Sequence, residues 1–509
     1  MKNRTEPEHR RERTAVILLL ALGFALRLLA IGALPFGLNQ DEASAGYETL
    51  ALLREGIDRC GKPWPVLLVS WGSGQNVLMT YLAMPFVALL GLSELSIRLP
   101  NALLGCLTLP VFWLLARRCG GRRFGLLALG LLTVNPWHVM MSRWGLESNL
   151  LPFFLLTGVW LTSVSMERPW ALTGAAAAFG LSLYAYGTAF FFLPLYLLWA
   201  VIVLRKRLKP APFLTALGIF LILALPIGVC QLRNALHLEE LTLLGLTLPR
   251  LTENRQAATS IFGGGGSDRA LENFRGFLRI LWRGGDGLPY NALPFWKGGI
   301  FYFFGLPTAA IGAVGSLFLR KDRREEGPVR IALACGLVCA FFIDGNINRL
   351  NLLWLPLIYC SALGCYLLLE KRRLWVKLAS LAVAAACFLL FLFSYCADFG
   401  GAGYSGYFPG LGAAIRAAES YAPDTVYITD WVNQPYIFAL FYTEASPSEF
   451  AATVEYQNAD APFRRVLRCS GFEFEDPAKA DILILHRYET GDREVLAESG
   501  SFAVCKGAP

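Results

Sequence analysis

Long apolar runs alternate along this chain with short polar breaks. Thr14 to Leu34, Arg98 to Ala116, Pro212 to Cys230, Gly299 to Leu319 and Leu378 to Cys396 are the clearest. Each approaches the ~20 residues that a helix needs to cross a bilayer core. The pattern predicts crossings near 14–34, 98–116, 124–138, 149–165, 170–183, 188–204, 211–230, 299–319, 329–343, 350–369 and 377–396. Asn76 to Gly91 is apolar too, but it has only 16 residues and contains Pro85. It and the more amphipathic Glu42 to Glu55 are expected to lie in the membrane interface. After residue 397 the pattern changes. Thr425 to Thr429, Asp481 to Leu485 and Ser501 to Cys505 read as strands, and Leu411 to Tyr421 and Pro435 to Tyr442 as helices.

Composition agrees with a membrane protein: of 509 residues, 55% are hydrophobic and only 17% charged. The basic leader Met1 to Arg13 precedes a run longer than a signal-peptide core, so the run is read as a retained first helix. Residues 398–509 hold 8 Lys/Arg against 16 Asp/Glu, and the rest of the chain 38 against 22. Basic clusters at Arg10 to Arg13, Arg117 to Arg123, Glu167-Arg168, Arg205 to Lys209, Arg320 to Arg324 and Lys371 to Lys377 flank the runs. Placed on the cytoplasmic side, they set the N-terminus inside and the C-terminal segment outside. If Asn76 to Gly91 also crossed, the Arg117 to Arg123 cluster would fall outside. The positive surplus reflects this orientation and does not imply nucleic acid as a partner.

The predicted fold class is therefore mainly α. It is a polytopic membrane helix bundle of about eleven transmembrane helices, with interfacial helices in the first outer loop and a small extracytoplasmic α/β C-terminal domain. The expected units are residues 1–397 and 398–509. Most of the twelve cysteines lie within runs as small apolar side chains, whereas Cys469 and Cys505 fall in the tail and could pair outside the cell. Four scattered histidines form no zinc pattern.

The unusual residues collect on the expected outer face. Asp41 and Glu42 are adjacent carboxylates just past the first run. Asp41 reads either as the N-cap of a helix beginning at Glu42 or as a general base at the membrane surface. Arg27 lies in the outer half of the first run, Arg98 opens the second, and Arg143 and Arg349 sit in outer turns. Each arginine suits structural anchoring or two-point recognition of a phosphate.

The order of these residues carries a resemblance. Asp41-Glu42 is followed by a Gly/Pro-containing loop, an apolar helix ending Gly91-Leu-Ser-Glu, and Leu95-Ser-Ile-Arg-Leu-Pro-Asn101. Then come Arg117 to Arg123, Asn135-Pro136 and Ser142-Arg143. This resembles the protein mannosyltransferase and aminoarabinose transferase family of integral membrane glycosyltransferases, in the GT-C superfamily. The similarity covers the first ~200 residues best and the tail hardly at all.

It implies transfer of a sugar from a polyprenyl-phosphate donor to an acceptor on the outer face. Asp41 then matches the acid that activates the acceptor, Glu42 the adjacent catalytic acid, and Arg98 the arginine supporting them. Arg143, Arg349 and Arg27 are candidates for the donor phosphate by placement. Relatives often have Lys-Pro-Pro or His-Pro-Pro before the interfacial helix; here Gly72-Ser-Gly-Gln-Asn-Val77 stands there. That removes a cation able to hold phosphate or help arrange a divalent metal, and leaves the use of a metal open. Gln75 and Asn76 are candidates for the sugar, with helix capping an equal use for Asn76. One direct displacement predicts inversion at the anomeric carbon. Two rivals remain. The order of acids and arginine favours the transferase over a polysaccharide-ligase-like enzyme. A transporter would place ionisable residues near the bilayer midplane.

Overall fold

The computed structural model describes residues 6–71, 73–252, 259–264, 266–288, 290–399, 405–459, 461 and 464–507. Gly72, Gly265 and the first residues of the tail after Phe399 lie outside them. The N-terminal part is helical. It comprises α1 (Glu6–Leu28), α2 (Gln40–Glu55), the hairpin β1 (Leu67–Ser70) and β2 (Ser73–Asn76), α3 (Leu78–Leu90), α4 (Glu94–Gly120), α5 (Arg122–Thr133) and α6 (Pro136–Ser142). Next are α7 (Leu151–Ser165), α8 (Ala171–Ala185), α9 (Ala189–Leu204), α10 (Pro210–Ala235), the hairpin β3 (Leu241–Leu243) and β4 (Leu246–Leu248), and α11 (Gly266–Arg283). The bundle ends with α12 (Gly305–Val314), α13 (Gly327–Phe342), α14 (Asn351–Leu369) and α15 (Leu374–Phe399).

Every run expected to cross the membrane contains a helix, though not always one of the expected length. Among the described residues, five helices are long and apolar enough to cross: Glu94–Gly120, Glu147–Ser165, Pro210–Ala235, Asn351–Leu369 and Leu374–Phe399. The expected crossing 124–138 is two helices, α5 and α6, bent by 60°. The break follows from Asn135-Pro136. Asn135 is extended and its side chain accepts from the His138 N–H at 3.0 Å, capping a new helix with proline at its first turn.

Small residues let helices of the bundle touch. A β-carbon added at Gly312 would fall 1.8 Å from the Cys360 carbonyl, and one at Gly364 would fall 1.9 Å from that of Thr308. Thr308 and Ser361 hydroxyls bond across the same α12–α14 seam at 2.8 Å.

The tail comprises α16 (Leu411–Glu419), β5 (Val426–Ile428), α17 (Pro435–Thr443), α18 (Pro447–Thr453), β6 (Glu455–Tyr456), β7 (Val466–Cys469), β8 (Phe472–Glu473), β9 (Ile482–His486), β10 (Val495–Ser499) and β11 (Phe502–Lys506). Its seven strands form one mixed sheet in the order β10-β11-β9-β5-β8-β7-β6, with β5 parallel to both neighbours. The three strands and two helices expected there are all present. Cys469 and Cys505, expected as a candidate disulfide, are free and buried. They sit on β7 and β11, four inter-strand steps apart, or roughly 19 Å. A bridge requires α-carbons within ~7 Å.

The tail's core is continuous with that of the first loop. Tyr47 and Leu50 of α2 and Trp71 cluster with Ile437, Phe438 and Phe441 of α17. The backbone joins them as well: Phe36 N–H donates to the Phe399 carbonyl at 2.8 Å and Leu38 N–H to that of Tyr407 at 2.7 Å.

Candidate active site

The start of α2 decides where the two adjacent acids point. The helix begins at Gln40, not Glu42, and its N-cap is Asn39, not Asp41. Asn39 Oδ1 accepts from the Asp41 N–H at 3.1 Å, and Glu42 Oε2 accepts from the Asn39 N–H at 3.1 Å, closing a capping box. Asp41 and Glu42 are thus successive residues in one helical turn, and successive side chains diverge. Asp41 lines a cavity of about 260 Å³. Glu42 points into the protein and is wholly buried.

Glu42 has a full set of donors. Arg98 approaches it with two nitrogens, Nε to Oε1 at 2.9 Å and Nη2 to Oε2 at 3.1 Å. Gly145 N–H donates to Oε1 at 2.8 Å. A side chain at position 145 would press on the Ile97 carbonyl and on Oε1 itself, at 3.0 and 3.2 Å. The remaining Arg98 N–H groups donate to the carbonyls of Ile31, Pro35 and Gly37 at 3.2, 2.9 and 2.7 Å. The expectation of Glu42 as a second reacting acid therefore needs correction: it is an anchor tying α2, α4 and the 143–146 turn together. Arg98 supports that anchor, and through it the position of Asp41.

Arg349 reaches the same cavity. Its Nη1 stands 3.5 Å from Asp344 Oδ2, and Arg269 shares that carboxylate at 3.4 Å. A long, shared, partly buried pair leaves guanidinium N–H groups for a ligand. Arg27 and Arg143, expected at the donor phosphate, do not line the cavity. Arg27 is sealed in the bundle between the carbonyls of Gly23, Leu132 and Thr133 and the His138 ring. Arg143 caps the end of α1 and its following turn through the carbonyls of Leu26, Ala30 and Leu34. Both stabilise free carbonyls at helix ends and breaks, a need that the apolar runs alone do not reveal.

Gln75 and Asn76, on β2, both line the cavity. Gln75 Oε1 accepts from Ser44 Oγ at 3.3 Å, which leaves its NH₂ for a ligand. Asn76 does not cap α3. Its side chain donates to the Leu183 carbonyl at 2.9 Å, and its backbone N–H donates to the Glu147 carboxylate. Behind this wall sits Arg59, fully enclosed. It pairs with Glu48 at 3.1 Å, donates to Ser44 and Ser70 hydroxyls at 3.1 and 3.3 Å, and lies over the Trp71 ring. Burial raises the Glu48 carboxyl above its ordinary range, with Asp58 adding to the rise and Arg59 opposing it.

Sequence reasoning missed several cavity residues. Glu147 is a second carboxylate on the wall. Tyr290 also lines it; burial and the charges of Asp41 and Asp286 raise its hydroxyl above the ordinary phenol range, so it stays a donor at neutral pH. Trp144, Ser148 and Thr188 line it with a buried Nε1, Oγ and Oγ1 that have no protein partner. Glu147 stands four residues past Arg143 in the same outer segment, which was the available signal; nothing in the sequence marks Ser148. Among the described residues, no three His, Cys, Asp or Glu side chains gather to hold a metal.

Residues 60–229 match the family model of dolichyl-phosphate-mannose-protein mannosyltransferases. The fold matches solved structures along nearly its whole length. ArnT from Cupriavidus metallidurans bound to undecaprenyl phosphate aligns with a TM-score of 0.58 at 15% identity, covering 97% of this chain and 99% of that one. Its apo state gives 0.59 at 14% identity over the same shares. The Archaeoglobus fulgidus oligosaccharyltransferase tethered to an acceptor peptide gives 0.51 at 11% identity, over 86% of this chain and 63% of that one. No curated protein matches in sequence. The chain thus shares its fold with ArnT and matches the mannosyltransferase family model over residues 60–229, in keeping with the resemblance that the order of acids and arginine carried. It is a polytopic membrane bundle carrying a C-terminal sheet domain.

Proposed function

We propose that this protein transfers a sugar from a polyprenyl-phosphate donor to an acceptor hydroxyl in the cavity lined by Asp41 and Arg349. The observation that carries this reading is that Asp41, Arg349 and Gln75, whose NH₂ is free for a ligand, line one cavity. The family match over residues 60–229 and the fold of a protein holding undecaprenyl phosphate support the donor class. The acceptor oxygen attacks the anomeric carbon while Asp41 takes its proton. The bond from that carbon to the phosphate oxygen breaks, and Arg349 meets the charge on the departing lipid phosphate. One displacement inverts the centre. Trp144 Nε1, Ser148 Oγ, Thr188 Oγ1 and Gln75 hold the sugar hydroxyls. Tyr290 donates a hydrogen bond beside Asp41. Two wall carboxylates, Asp41 and Glu147, make a thin donor set for a metal, so no step passes through one.

The basic clusters support an N-terminus in the cytoplasm and a cavity and tail outside, with 1–397 read as the transferase unit and 398–509 as the outer domain. The decisive experiment supplies polyprenyl-phosphate sugars to the purified protein and follows release of the carrier. General-base help is worth ~10²–10⁴-fold, so Asp41→Asn should lose that much turnover with its fold intact. Equal release by both proteins would overturn the role. An acceptor product with retained configuration would overturn the single displacement.

A further inference from the structure

Helix α11 has three faces, and the fold uses one. Asn273, Phe277 and Ile280 are buried against the bundle. Asn273 donates to the Phe341 carbonyl of α13 at 3.2 Å, and Phe274 stacks on Phe341 at 4.1 Å. The second face is apolar and exposed: Leu271, Leu278 and Trp282, the last 83% accessible. Beside it, Arg275, Arg279 and Arg283 recur every fourth residue, all exposed. No hydrogen bond or ion pair engages any of the three among the described residues. Asp268 and Glu272 occupy the first turns, so the charge grows toward the C-terminal end.

An apolar stripe edged by arginines is the pattern of a helix lying in the plane of a membrane surface. Its surroundings fit that depth. The chain after α11 folds back on its end, Ile300 N–H donating to the Gly284 carbonyl at 3.0 Å, and it exposes Phe295, Trp296 and Phe303. Aromatic side chains gather where hydrocarbon meets headgroups. Arginines at that level have phosphates as their natural partners.

We infer that α11 is a binding surface for anionic phospholipid headgroups, with Arg275, Arg279 and Arg283 on the phosphates and Leu271, Leu278 and Trp282 among the acyl chains. The surface is joined to the cavity. Gly276 packs against Gly345, where a β-carbon would approach the other backbone to 3.0 Å. Arg269 of α11 shares Asp344 with the cavity residue Arg349. A lipid on α11 thus rests on the same rigid contact that holds the 344–349 loop.

The test places a photo-crosslinking residue at Leu278 in the full chain, reconstituted in phosphatidylcholine vesicles with or without phosphatidylglycerol. A phosphatidylglycerol adduct is expected, enriched over phosphatidylcholine and resistant to excess inorganic phosphate. Each arginine near an anionic surface contributes about fivefold, so R275Q/R279Q/R283Q should abolish the enrichment while R275K/R279K/R283K keeps most of it. The unfolding midpoint of the glutamine variant should stay in place, because the three side chains have no protein partner. Equal adducts with both lipids, competition by free phosphate, a protein adduct instead of a lipid one, or unchanged enrichment in the glutamine variant would each overturn the inference. None of these readouts depends on sugar transfer.

Discussion

Arg98 and Glu42 form a two-point ion pair with both side chains wholly buried, 2.9 Å apart at Nε and Oε1. It joins the first helix's exit loop, α2, α4 and the 143–146 turn at one point. Breaking a buried pair by removing one partner costs about 3–5 kcal/mol, because the other charge is left without a partner. Arg98→Ala and Glu42→Gln are expected to lower the unfolding midpoint sharply and to lose activity along with the fold. Arg98→Lys should do nearly as badly, since an ammonium cannot reproduce the fork that also serves three carbonyls. A thermal unfolding series of the three variants checks this. A variant with a wild-type midpoint and no turnover would instead make Glu42 a reacting acid.

Arg349 offers the contrast. It is partly exposed and only loosely paired with Asp344. Arg349→Ala should therefore leave the unfolding midpoint within about 0.5 kcal/mol of wild type. Removing preorganised charge at a leaving phosphate typically costs ~10²–10³-fold in turnover. Steady-state carrier release should show a fall in kcat larger than the rise in KM. Arg27→Lys and Arg143→Lys should do the reverse, disturbing stability before chemistry.

Much of this was legible in the sequence, for identifiable reasons. Apolar runs report helices because a bilayer demands length, and the tail's alternating segments report strands because a half-buried sheet demands period two. The pairing of Arg98 with Glu42 was legible because it rests on a motif. The roles of Asp41 and Glu42 did not separate, since that depends on a helix starting two residues earlier, at Gln40. Arg27 and Arg143 were misplaced because a buried arginine on carbonyls and one on phosphate look alike in sequence. Ser148, Thr188 and Tyr290 come from distant segments, and only folding brings them to Asp41.

The unpartnered donors give a sharper test of ligand chemistry. Leaving a buried hydroxyl without a partner costs about 1–3 kcal/mol. Thr188→Val and Ser148→Ala should therefore leave stability unchanged or raise it. A sugar that bonds to these groups should then lose roughly tenfold or more in kcat/KM per hydroxyl removed. Comparing donors that differ at single hydroxyls would show which position each residue reads. Wild-type rates with every donor would remove both from sugar recognition.

All twelve cysteines are free thiols in this fold. Alkylation of the unfolded protein without reductant, followed by intact-mass measurement, should count twelve labels. Cys469→Ser with Cys505→Ser should keep the tail folded at a modest cost from burying two hydroxyls. A count of ten that rises to twelve on reduction would contradict the sheet order, since β7 and β11 lie too far apart to bridge.

The closest backbone approach in the bundle predicts the steepest loss. At Gly312 and Gly364 the helices α12 and α14 meet with no room for a β-carbon, the nearest carbonyls standing 1.8 and 1.9 Å from where one would be. Neither position has a positive φ, so the requirement is space and not backbone conformation. Gly312→Ala or Gly364→Ala must push the helices apart, which breaks the Thr308–Ser361 hydrogen bond and opens voids along the seam. Overpacking a tight interface costs typically 1–3 kcal/mol for small insertions. Valine at either site should cost more and abolish folding in mild detergent. Gly218, on the outward part of α10 with nothing within 4 Å, is the matched control, and Gly218→Ala should be neutral or stabilising. Unfolding midpoints of the three alanine variants decide it: equal midpoints would mean that α12 and α14 do not pack at these glycines.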